Sequence, residues 1–338
     1  MTGGSVALAL LGGVIGAGFA SGRELVRFFA GHGAMTGAAV LCAVGTLGAL
    51  FLRLPAQMER AGCGTLGALC VIRFGVRLGR LCTGLFAVLC AVTGGAMLAA
   101  CAELAALTLP IRPAYALGLL LTLALGTALS WLGVSALALP GLCLCALLPV
   151  LLVRLLALPV GEACFLAELA PPARACADGA VYGALNAAML AGAMPLLLPL
   201  SRAGRRRSVA LFALLFGALL TLGALVCRRH LAAVLHQPLP FVWLSRSLSG
   251  GYLLVAACLY AAALSTLCAM LTALSLLLPL SRGAGTAASA LACLAAALPG
   301  FGALVHNAYP VLGALCAGLM LLLCTPPGAG QSPKPSAR

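Results

Sequence analysis

Three short stretches carry residue types able to do chemistry inside an otherwise apolar chain. The first is GGVIGAGFASGRELVRFF, from Gly12 to Phe29, where Gly12, Gly13, Gly16, Gly18 and Gly22 interrupt an apolar run and Arg23, Glu24 and Arg27 follow. The second is VYGALNAAMLAGAMPLLLPLS, residues 181–201, in which Gly183, Gly192, Pro195 and Pro199 accompany Tyr182 and Asn186. The third is LYAAALSTLCAMLTALS, residues 259–275, whose polar groups are Tyr260, Ser265, Thr266, Thr272 and Ser275. Glycine weakens a helix and proline removes one of its backbone bonds. Where a helix unwinds, its carbonyls are freed to bind a cation, and the N-terminal ends of its halves favour an anionic group such as a carboxylate. A zwitterionic amino acid would suit such a place. Ser265 and Thr266 either bond back to the preceding turn, as such pairs ordinarily do, or point their hydroxyls at a cation held by the first stretch. The glycines have an ordinary role too, which is close helix packing.

Other chemistries fit poorly. Gly16-x-Gly18 continues as G-x-G-x-x-x-G rather than a dinucleotide fingerprint, and no strand–turn–helix unit surrounds it. There is no HExxH, no GxSxG and no aspartate pair. The sixteen cysteines are scattered through apolar runs without a CxxC pair or a Cys/His cluster, so they read as small hydrophobes. The chain is expected not to be an enzyme and to carry no cofactor or bound metal centre, with Na⁺ or H⁺ as a coupling ion only.

The elements that must position these groups follow from composition. Of 338 residues, 63% are hydrophobic and 8% charged, and the mean hydropathy is +1.17. A soluble domain carries about 25% charged residues, so this chain reads as an all-α, polytopic membrane protein. The net charge of +14 comes from arginines placed between apolar runs, which is a topological pattern rather than a nucleic-acid surface. The first apolar run has no basic segment ahead of it and reads as a mature helix, not a signal peptide.

Apolar length gives about ten spans, near residues 4–30, 34–54, 80–107, 114–132, 134–158, 179–200, 207–227, 248–279, 285–304 and 307–324. An Arg-rich connection (Arg60, Arg73, Arg77, Arg80) precedes the third, and a polar connection at 160–179 separates two halves of five. An odd number per half forces opposite orientations, the inverted-repeat plan of many secondary transporters, with repeats over about 4–158 and 179–324. The two Gly/Pro-interrupted stretches then open the two halves at matching positions, which is where such proteins place their solute site. Residues 1–327 form one transmembrane domain, and the Pro/Gly/Ser-rich tail at 328–338 reads as disordered. With the N-terminus inside, twelve Lys/Arg fall on the inner side against eight outside, so both termini are expected to be cytoplasmic. Arg23 and Glu24 read as a local ion-paired closure of the outer end, and Arg205–Arg207 as a cytoplasmic anchor. Pro140 and Pro149 are placed to kink the fifth span, and His32, His230, His236 and His306 read as solvated at span ends.

The stretch GVIGAGFASGRELVRFF resembles the opening of the YkvI-type bacterial membrane proteins and, more loosely, the first-helix motif of the amino acid–polyamine–organocation superfamily. YGALNAAMLAGAMPLLLPL is similar to that superfamily's sixth helix. The resemblance implies a LeuT-like fold with broken first and sixth helices, in a bacterial cytoplasmic membrane. It also implies transport of a small solute, an amino acid or related metabolite, coupled to Na⁺ or H⁺. By the same resemblance Gly12 and Ile15 carbonyls with Ala262, Ser265 and Thr266 match a sodium site, and Gly16, Ala17, Gly18 and Phe19 line the solute region with Tyr182 and Asn186. Many members carry Gln in place of Arg23. A non-transporting receptor on the same fold, as in spore germination systems, is the competing function. The partners expected are the solute and the lipid bilayer, with no nucleic acid.

Overall fold

The computed structural model describes residues 3–109, 111–132, 134–159, 171–237, 239–304 and 309–325, and among them the chain is helical without strands. Glu162, Glu168, His306 and the tail at 328–338 lie outside the described residues. The first segment comes in three pieces, α1 (Gly3–Val14), α2 (Ala17–Ala20) and α3 (Arg23–Phe28). A 3-10 turn at Ala30–Met35 leads into α4 (Thr36–Arg60), then α5 (Leu66–Phe74), α6 (Val76–Thr108), α7 (Ala114–Leu132) and α8 (Val134–Leu156). The second half opens on α9 (Pro172–Met189), followed by a 3-10 stretch at Ala191–Leu197 and α10 (Arg202–Arg229). Short α11 (Leu231–Val234) and α12 (Pro240–Ser245) precede α13 (Gly251–Leu277), α14 (Arg282–Ala297), α15 (Phe301–Ala303) and α16 (Tyr309–Cys324).

Six of the described helices are each long and apolar enough to cross a membrane, and α9 with Ala191–Leu197 adds a seventh apolar span bent by 74°. Their outer faces carry Leu41, Leu81, Leu132, Leu214 and Leu253, each at least 69% exposed. Such a surface suits hydrocarbon rather than water, and the protein is a multi-pass membrane protein.

The packing follows an exchange rule. If the expected segments are numbered one to ten, replacing each by the segment five places away turns most packed pairs into packed pairs, α7 on α8 being an exception among the described residues. α4 packs on α9 and α10 on α1; α1 packs on α8 and α9 on α16; α6 packs on α7 and α13 on α14. This is what two inverted repeats of the same topology produce.

Local chemistry explains the breaks. Gly16 is extended (φ −90°, ψ −176°), and its N–H turns to the Val14 carbonyl at 3.0 Å. Gly22 joins α2 to α3 at φ +86°, a left-handed conformation that glycine adopts without steric cost. The Ser21 carbonyl, just before it, accepts the Phe241 N–H from α12 at 2.9 Å. In the sixth segment the helix ends at Met189 and Pro195 supplies no N–H to a continuing ladder. Gly179 and Gly183 do something else. A Cβ on either would overlap the Ala39 or Ala43 carbonyl oxygen of α4, so this pair lets two backbones approach one turn apart.

Three expectations need correction. The Arg-rich connection contains a helix, α5, whose first turn is capped by Thr65 Oγ1 accepting the Ala68 N–H at 3.2 Å. Arg73 of α5 donates to the Thr325 carbonyl and hydroxyl, both at 2.9 Å. Two of the histidines are buried, not solvated: His32 Nε2 lies 3.2 Å from Asp178 Oδ2 of α9, and His230 Nε2 lies 3.2 Å from the Leu155 carbonyl of α8. Span ends are covered here by neighbouring helices. Glu24, expected to pair locally at the outer end, turns inward: its Oε2 accepts the Tyr182 hydroxyl at 3.1 Å.

Candidate functional site

The broken first segment and α13 meet at a cluster of oxygens. Because Gly16 N–H bonds Val14 and Ala17 N–H lies 3.4 Å from Met97 Sδ, the Gly12 and Gly13 carbonyls lose their helical donors. From α13, Ser265 Oγ sits 2.6 Å from the Gly12 carbonyl and 2.9 Å from the Ala262 carbonyl. Thr266 Oγ1 lies 3.2 Å from the Gly12 carbonyl, 3.4 Å from Gly13 and 3.3 Å from Ile15. Each hydroxyl has one proton to donate. Two protons therefore face four carbonyls, a set that a cation would satisfy better than the hydroxyls do. Gly12 makes the approach possible, since a Cβ there would come within 2.9 Å of Ser265 Cβ.

The ordinary behaviour of helix hydroxyls appears further along α13. Thr272 and Ser275 donate to carbonyls one turn back, at 2.9 and 2.8 Å. Thr266 instead reaches across to the first segment, and Ser265 does both.

Beside the oxygen cluster is a small cavity of about 20 Å³, room for one water. Gly16, Gly18, Glu24 and Thr266 line it together with Thr93 and Met97 of α6. Gly18 has no side chain where a Cβ would overlap the Glu24 carboxylate. Tyr182 joins the site through its bond to Glu24 and is held by Phe28 and Phe29, with ring centroids at 5.2 and 5.1 Å. Asn186 Nδ2 donates back to the Tyr182 carbonyl at 2.9 Å, and its Oδ1 is buried without a partner among the described residues. Thr93 Oγ1 is likewise buried and unpartnered. Ala17 contributes its backbone N–H toward Met97. Phe19 is not on the cavity; it is fully buried against Phe216, 6.1 Å away. Arg23 is exposed.

Thr93 and Met97 were not read as site residues, although the Gly94-Gly95 pair directly after Thr93 is a local signal in an otherwise apolar run. Glu103, the one acid of α6, is exposed and accepts the Phe301 N–H at 3.3 Å.

No family model matches the chain, and no curated protein sequence matches it. Solved structures do. The chain is similar to a Na⁺-coupled sialic acid symporter in a substrate-bound, outward-open state, at a TM-score of 0.66 and 13% identity, over 96% of this chain and 78% of that one. It is also similar to a nucleobase-cation-symport-1 family transporter in a closed conformation with bromovinylhydantoin bound, at a TM-score of 0.60 and 15% identity, over 95% of this chain and 77% of that one. At these identities the likeness shows the fold, and the fold is the LeuT-like architecture of broken first and sixth helices.

Proposed function

We propose that this protein is a secondary active transporter of a small solute, an amino acid or related metabolite, working by alternating access with Na⁺ as the coupling ion. The observation that carries this reading is the oxygen cluster. Gly12, Ile15 and Ala262 carbonyls with the Ser265 and Thr266 hydroxyls supply five oxygen ligands between a broken helix and an intact one. Unwound carbonyls of this kind are how such folds hold Na⁺. The cation would tie α1 to α13 and so couple ion binding to movement of the first segment.

The solute region is assigned to Gly16, Ala17 and Gly18 with Tyr182, Asn186 and Glu24, and Phe19 supports it from behind. A cavity of about 20 Å³ is smaller than any amino acid, so loading requires the helices around it to separate, by the rocking of one bundle against the other. Glu24 has two uses here: it meets a cationic group of the solute, or it carries the proton should protons replace Na⁺. Arg23, which is exposed, is assigned with Glu24 to the outer gate. The protein is placed in a bacterial cytoplasmic membrane with both termini inside, as one transmembrane domain over 1–327 built of repeats at about 4–158 and 179–324.

The test is uptake into proteoliposomes of labelled amino acids and related metabolites, with and without an inward Na⁺ gradient. Accumulation that depends on the gradient supports the proposal. Accumulation that follows a pH gradient alone moves the coupling role to Glu24. Ligand binding without flux refutes transport and leaves a receptor on the same fold.

A further inference from the structure

A second cavity lies between the C-terminal end of α4 and the N-terminal end of α10. It is far larger, about 380 Å³, and is lined by Leu52, Ala56, Glu59, Arg60, Arg202, Arg205 and Arg206. One carboxylate faces four guanidinium groups. Glu59 is committed to Arg205, with which it forms a close ion pair. That leaves Arg60, Arg202 and Arg206 as exposed positive charges around the opening.

Arg205 is the unusual member. Its residue is 3% exposed, yet its Nε has no hydrogen-bond partner among the described residues. Guanidinium nitrogens buried without an acceptor are costly. The first turn of α10 adds to the positive field. Ser201 Oγ accepts the Gly204 N–H at 3.1 Å and the Ser201 carbonyl accepts the Arg205 N–H at 2.8 Å. The positive end of a 28-residue helix therefore opens beside the arginines. Both helices are long and apolar enough to span a bilayer, so the cavity sits where their apolar lengths end, at headgroup depth.

We propose that this cavity binds a phosphate group. Arg60, Arg202 and Arg206 would contact its oxygens from the rim, and Arg205, held in place by Glu59, would donate from below. Guanidinium groups match phosphate oxygens through paired N–H donors. The apolar wall of Leu52 and Ala56 suits the first methylenes of an anionic phospholipid's acyl chain, and a free phosphate shares the same headgroup chemistry. The site stands apart from the oxygen cluster, and the inference holds whether or not the protein transports.

The experiment uses the full chain in detergent micelles. Binding of phosphatidylglycerol and of phosphatidylcholine is measured by native mass spectrometry, and thermal stability is measured against inorganic phosphate. The variant is Arg202→Gln with Arg206→Gln, which spares the Arg205–Glu59 pair. The control is Arg228→Gln with Arg229→Gln, which removes the same charge from the other end of α10. Phosphatidylglycerol should bind better than phosphatidylcholine, and the variant should weaken it about 30-fold, the usual contribution of a basic residue near an anionic headgroup taken twice. The control should change it little. If inorganic phosphate also stabilises the wild type but not the variant, the site accepts free phosphate; if only the lipid does, the source is the membrane. Equal lipid binding by variant, control and wild type, with no phosphate effect, overturns the proposal. Should the double variant fold poorly, Arg206→Gln alone asks the same question at about fivefold.

Discussion

Replacing Thr266 with valine keeps the shape of the side chain and removes one oxygen from the cluster between α1 and α13. Thr266 Oγ1 lies within 3.4 Å of three first-segment carbonyls. Without Na⁺, loss of its single proton leaves buried carbonyls less satisfied, at about 1–3 kcal/mol. With Na⁺ the hydroxyl acts as a ligand to a charge, and such contacts contribute about 1.5–3 kcal/mol. The change in affinity is the bound-state cost less the free-state cost, so Thr266→Val should weaken Na⁺ binding by up to about 30-fold. The two effects are read separately, because the first lowers stability in the absence of Na⁺ and the difference between them moves the midpoint. The assay is thermal unfolding in detergent across a Na⁺ titration at constant ionic strength, with choline as the replacement cation. Wild-type stability should rise with the logarithm of Na⁺ above its midpoint. A wild type indifferent to Na⁺, or a variant with an unchanged midpoint, would refute the sodium assignment.

Gly18→Ala should behave like Glu24→Gln in uptake, because the added Cβ takes the place of the Glu24 carboxylate and displaces it from Tyr182; the double variant should then be no worse than either alone. Gly183→Ala should cost about 1–3 kcal/mol by forcing α9 off the Ala43 carbonyl of α4, whereas Gly45→Ala, with nothing within 4 Å, should be neutral or slightly stabilising in the same melts. Burial holds the His230 ring below its ordinary value of 6.5, with Arg229 acting in the same direction and the Leu155 carbonyl opposing both. The neutral ring is the folded form, so its stability contribution is complete above pH 6.5 and is lost as pH falls from there through the lower folded value. His230→Gln should flatten that part of the stability–pH curve, and an unchanged slope would remove His230 as its source.

Much of the site was legible because its chemistry is written in runs of few residues. A Gly-rich stretch and a Gly/Pro-rich stretch at matching places announce two broken helices, since nothing else in a bilayer tolerates freed backbone groups. Ser265 and Thr266 were visible as hydroxyls in an apolar helix, but whether they turned back or reached across was open. Glu24 was misjudged because sequence neighbours suggest ion pairs only along the same helix. The left-handed turn at Gly22 and the missing side chain at Gly18 redirect it instead, toward a tyrosine 158 residues away. Likewise, Gly183 looked like part of a break and is a packing contact.

Composition and hydropathy by themselves determined that the chain is helical and membrane-spanning, because 8% charged residues cannot cover a water-facing surface of this size. The same local reasoning located the two interruptions and raised the inverted plan, which needed only the parity of spans in each half. Tertiary structure alone decided that the Gly13 carbonyl joins the oxygen cluster, that Thr93 and Met97 close the cavity, that Arg205 is buried on Glu59, and that His32 and His230 are covered. Those are distances between residues far apart in the chain, and they depend on how helices cross, which no local pattern of residues encodes.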